Sequence, residues 1–171
     1  NYTLSNNINA DVAGYNTNSG FRPIGNWANP FTGTLDGNAQ KIKKLTMNRS
    51  GEDYTGFFGV FGAGAEAYNM EFLDLHVHGR NHSGGLAGWN AGKFWLISIT
   101  GPTTVIGANC VGGFVGTNSS TGSLVNVSTR VNVIGDTSVG NNSVGLAVGA
   151  NSGTLDQAIA AYATLTSNGA G

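Results

Sequence analysis

A five-residue glycine phrase returns at a fixed distance along the chain. GGLAG runs from Gly84 to Gly88 and GGFVG from Gly112 to Gly116, and Gly79, Gly107 and Gly135 keep the same 28-residue interval. A domain with one central core has no need of such a period, whereas a stack of coils does, because each coil must offer the next the same backbone path. The period therefore constrains shape before any residue is considered for chemistry.

The flanking copies are less regular. GFFG, Gly56 to Gly59, precedes GGLAG by 29 residues if Gly56 is matched to Gly85, and VGLAVG, Val144 to Gly149, follows GGFVG at 32. That slippage places an insert of about four residues between Gly135 and Gly145 and leaves the register of the last copy open around Val148. After each phrase comes a turn, WNAG, TNSSTG or ANSG, where Asn and Gly tolerate left-handed backbone and Asn can bond its own main chain.

The segments that follow decide strand against helix. Spacing of 28 aligns Val77, Val105 and Val133, with Leu75, Thr103 and Val131 two positions earlier and His76, Thr104 and Asn132 between. Apolar and polar residues alternate with period two, the pattern of a half-buried strand. Leu86, Phe114 and Leu146 mark a second short strand in each repeat. Coils stacked at about 4.8 Å would give parallel ladders of like residues around a narrow core. An antiparallel sandwich also has short strands and tight turns, but it does not require an in-register period. The expected fold is all-β, a parallel β-helix (β-solenoid) with coils of about 28 residues. Residues 1–51 read as irregular N-terminal coils, with Ile42, Leu45 and Met47 apolar in KIKKLTM. Residues 52–171 carry the repeats, continuous with the first part, and Leu155 to Leu165 reads as a further coil.

The phrases VGGFVGTNSSTGSLVNVS and SGGLAGWNAGKFWLISI, with NINADVAGYN, FRPIG, FTGTLDGN and GFFG upstream, resemble the GLUG-repeat family of secreted and surface bacterial proteins. The resemblance covers almost the whole chain. It implies a right-handed parallel β-helix of the kind found in haemagglutinin-like adhesins and beside peptidase domains of immunoglobulin-cleaving proteins. Parallel crossover preferences favour the same hand. The family is defined by repeat residues, so the resemblance implies no active site.

Composition narrows the setting. A single cysteine, Cys110, excludes an internal disulfide. YTLSNNINADV has neither the basic start nor the apolar run of a secretory leader, so the chain reads as a segment of a longer protein. No run of residues is apolar enough for a membrane-spanning helix. Eight basic and nine acidic residues leave no field for nucleic acid, and Lys41, Lys43 and Lys44 read as a solvated strand face.

Catalytic residues, cofactors and metal ligands are all expected to be absent. At 28-residue spacing Glu71 would face Ile99, Asp74 Pro102 and Asp136 Ala108, so no acidic ladder forms. Asp36, Glu52, Asp53 and Glu66 remain the carboxylates through which a polysaccharide hydrolase or lyase would act. His76 and His78 share a strand face too far apart for a small ion, and His82 lies beyond a glycine. Contact residues are the better candidates. Trp27, Trp89 and Trp95 could stack on sugar rings or cover the core, and His78, Ile106 and Ile134 would form an outward stripe suited to a glycan or protein partner. Acceptor triplets for glycosylation begin at Asn1, Asn48, Asn81, Asn118, Asn126 and Asn141. The expected function is a non-enzymatic structural or adhesive segment of a secreted or cell-surface protein, a stalk or filament building block that associates with itself or with neighbouring repeats of its parent. The alternatives are a polysaccharide-active β-helix and a carbohydrate-binding module.

Overall fold

The structure, a computed structural model, describes residues 1–12, 16–136, 143–160 and 164–168. It is a β-solenoid of about five turns in which every paired strand is parallel. Each regular coil has four sides. The first is a long strand: Glu66–Leu73, the first half of Lys93–Gly107, the first half of Ser123–Asp136, then Thr154–Ala160. The second carries the valine column, and Met47, Val77, Val105, Val133 and Leu165 pair in that order. The third is Asn81–Gly84, Asn109–Gly112 and Val144–Gly145, and the fourth is Phe58–Phe61, Ala87–Asn90, Val115–Asn118 and Val148–Asn151.

The predicted core register holds. Val77, Val105 and Val133 are buried, and His76 and Asn132 are exposed between the columns. Thr103, which interrupts the Leu75 and Val131 column, is buried because its hydroxyl accepts from Leu75 N at 3.1 Å and donates to Thr100 O at 3.0 Å. Toward the N-terminal end the interior is aromatic, with Phe61 and Phe94 stacked at 4.2 Å and Phe58 at 4.6 Å from Phe61. Residues before the repeats join the same ladders: Tyr2 pairs with Leu35, Ile8 with Ile42, Ile24 with Phe58 and Phe31 with Phe61. Ile42, Leu45 and Met47 are buried, although left-handed Lys44 breaks KIKKLTM into two strands.

The glycine phrase turns the corner between the third and fourth sides. Leu86 and Phe114 lie in that corner, buried but outside the strands in which the alternation had placed them. A Cβ on Gly116 would stand 2.5 Å from His82 C and 2.6 Å from Ser83 N, so main chain crosses main chain there and no side chain fits. The last copy is in full register. Gly112 pairs with Gly145 and Val115 with Val148, a spacing of 33, so the insert after Gly135 is five residues and not four. Ala147, whose carbonyl accepts from Phe114 N, takes the place that Leu146 was expected to hold.

The other corners are built on residues with left-handed φ, in columns. One column is Asn69, Leu96, Asn126 and Gln157, and another is Tyr54, His82 and Cys110. Corners also absorb length. Glu66 pairs with Lys93 at 27, Lys93 with Ser123 at 30 and Ser123 with Thr154 at 31. The 28-residue period therefore fails on the long strand. Glu71 faces Ser98 and not Ile99, since Asp74 in one coil is matched by Gly101 and Pro102 in the next.

An asparagine column lines the inside of the fourth side. Asn90 Nδ2 donates to Asn118 Oδ1 at 2.8 Å, and Asn118 Nδ2 donates to Asn151 Oδ1 at 2.9 Å. Asn90 and Asn118 are fully buried, and Asn90 Oδ1 also accepts from Gly92 N. The local bond to the turn was expected from sequence; the ladder running through the core was not.

Candidate functional site

The tryptophans that sequence treated separately are brought together in part. Trp27 lies in the loop between the Ile24 and Phe31 bridges, two coils ahead of Trp89. Its ring is 5.2 Å from that of Trp89 and meets Tyr54 edge-on at 5.4 Å. Tyr54 stacks on His82 at 4.8 Å with planes 6° apart, because both occupy the same left-handed column on successive coils. Trp27 is backed by these rings yet 54% exposed. In front of it opens a cleft of about 460 Å³, lined among others by Arg22, Trp27, Glu52, Asp53 and Tyr54.

Ion pairs brace the cleft. Asp53 receives two hydrogen bonds from Arg80, each 2.8 Å, and a third from Asn81 N at 3.1 Å. The Arg80 hydrogen bonds hold the Asp53 carboxyl below the ordinary carboxylate range, against the opposing effect of burial. Glu52 pairs with Arg49 at 2.9 Å. Burial pushes the His82 imidazole below its ordinary value, with the Asp53 charge opposing, and its Nδ1 shares a 2.8 Å hydrogen bond with Thr117 Oγ1. Asp36 and Glu66 lie on the long-strand side, away from Glu52 and Asp53 at the corner.

Trp95 stands elsewhere. On the long strand it stacks on Tyr68 at 4.3 Å, with Lys93 Nζ 5.7 Å from its ring centre. His78, Ile106 and Ile134 do form one column, half-buried along the second side, and His78 and Ile106 border a shallow groove with Asn48 and His76.

The acceptor asparagines divide by location. Asn48 and Asn126 are exposed and Asn81 is half-buried. Asn118 is corrected to an interior residue, since its amide is spent on the buried ladder and cannot meet a glycosylating enzyme. Asn141 lies outside the described residues. Sequence reasoning missed Arg22, Tyr54 and the stacking role of His82. The available signal was that Tyr54 lies 28 residues before His82, the repeat interval itself.

No protein-family model matches the chain. No solved structure matches it. Among curated proteins it is similar to halomucin of Haloquadratum walsbyi, at 37% identity over 111 residues, which is 63% of this chain and 1% of that protein. It is also similar to a putative Gly-rich membrane protein of Evansella cellulosilytica, at 34% identity over 58 residues, 34% of this chain and 7% of that protein. The chain thus spans only a small part of the length of the relatives it matches. Among the described residues no helix is long and apolar enough to cross a membrane.

Proposed function

We propose that this chain is a non-catalytic, rigid segment of a much longer surface or secreted protein, and that its aromatic corner is an adhesive contact for carbohydrate. The carrying observation is Trp27, an exposed ring fixed from behind by Tyr54 and Trp89 at the mouth of a cleft. A ring already held in place loses little freedom when a sugar stacks on it. The two relatives, one named as a mucin and the other as a membrane protein, support a surface setting, as does the GLUG-repeat resemblance. The pairing of Glu52 with Arg49 and Asp53 with Arg80 supports a bracing role for these carboxylates in place of acid–base work.

Further coils, from the parent chain or a second copy, would cover the last rung, where Leu155 and Leu165 are exposed although Leu124 and Val133, their partners beneath, are buried. A panel of polysaccharides tests the reading through retention and turnover together. The protein should retain at least one polysaccharide without shortening it, and Trp27→Ala should abolish retention with the unfolding midpoint unchanged. Turnover that disappears on changing Glu52 or Asp53 would make the chain an enzyme.

A further inference from the structure

Charge at the aromatic corner is unevenly matched. Both carboxylates lining the cleft are taken up, Glu52 by Arg49 and Asp53 by the two-pronged contact with Arg80. Arg22 lines the same cleft, is exposed, and is its one cation with no acidic partner among the described residues. A guanidinium offers two parallel N–H donors matched to a carboxylate, and such bonds are stronger than those between neutral groups. A neutral sugar would use the Trp27 face and leave that fork to solvent. A sugar acid would use both.

Resting on the carbohydrate reading above, we infer that the cleft selects saccharides bearing a carboxylate, with a ring stacked on Trp27 and the carboxylate held by Arg22. The paired acids do not repel such a ligand strongly, because each carries its counter-charge within 2.9 Å.

Tri-galacturonate and its fully methyl-esterified form share a ring skeleton and differ chiefly in charge, so they make a matched pair. Titrated against the intact chain and followed by tryptophan fluorescence, the acid should bind on the order of tenfold more tightly than the ester, as one charge-assisted contact implies. Arg22→Gln should bring the acid down to the ester's affinity, and Trp27→Ala should weaken both. Circular dichroism establishes that each variant is folded. Equal binding of acid and ester, or a preference that survives Arg22→Gln, overturns the inference and leaves the carbohydrate reading standing. Binding of neither overturns the inference, and the carbohydrate reading falls with it if no polysaccharide of the panel is retained. Poly-glutamate bound as tightly as the sugar acid, dependent on Arg22 and indifferent to Trp27, would reassign the cleft to acidic peptides.

Discussion

Replacing Asn118 with alanine removes the middle rung of the interior asparagine column, and the structure fixes what is left behind. Asn90 Nδ2, fully buried, loses its acceptor at 2.8 Å. The three acceptors that Asn118 Nδ2 gives up are better placed: Asn151 is exposed and still accepts from Gly153 N, Gly122 O still accepts from Thr154 N at 2.9 Å, and Thr154 is itself exposed. One stranded buried donor plus the loss of a buried amide's packing comes to about 2–3 kcal/mol. For a domain of this size that lowers the melting temperature by on the order of 8 °C, measurable by circular dichroism. Asn118→Asp should separate bonding from packing. The carboxylate still accepts from Asn90 but has no donor for Asn151, so the loss at neutral pH should shrink in acid, where the protonated form donates again. A cost below about 0.5 kcal/mol for alanine, within the range of unremarkable surface changes, would refute the account of the column as a continuous bonded chain.

Two further outcomes follow from the corners. Leu96 holds left-handed φ while 46% exposed, in a column otherwise made of Asn69, Asn126 and Gln157; Leu96→Asn should therefore stabilise the fold by about 0.5–1 kcal/mol, and denaturant unfolding with no gain would count against strain at that corner. His82, whose folded value is pushed below the ordinary one, stays neutral in the fold while the unfolded chain takes up a proton first. Stability should be unaffected by this group above about pH 6.5 and fall as pH drops from there toward the folded value, and His82→Gln should remove that component of the pH profile.

The second side from Val77 to Val133 and the glycine corners at Gly84 and Gly112 were legible in the sequence because there the coils keep one length. Val77, Val105 and Val133 are 28 apart on paper and partners in space. The long strand was not legible, because its corners differ: Ala91 and Gly92 separate Asn90 from Lys93, but four residues separate Asn118 from Ser123. A fixed period carried across such corners misplaces Glu71 by one residue, which in a strand turns a side chain to the other face. The last copy was obscured by the insert alone, since GLAVG superposes on GGFVG once the spacing is set to 33. The aromatic corner was half visible. Trp27 has no counterpart in the repeats, and only the bridges of Ile24 and Phe31 to the first phenylalanine strand bring it over Tyr54 and beside Trp89. Asn118 was misread because its acceptor triplet is a local pattern, while its burial depends on Asn90 and Asn151.

Because the bonds between coils run along the stack, tension applied to the two ends of the chain acts on one coil interface at a time. A seated coil contributes about 4.8 Å to the length of the stack. Peeled away, its 28 to 33 residues extend to roughly 100 Å. Each release would thus lengthen the molecule about twentyfold over the rung it gives up while the coils behind it stay intact. In a protein tethering a surface to its surroundings, the same stack that supplies stiffness at rest becomes a reserve of slack, paid out in steps, that limits the force reaching the contact at its far end.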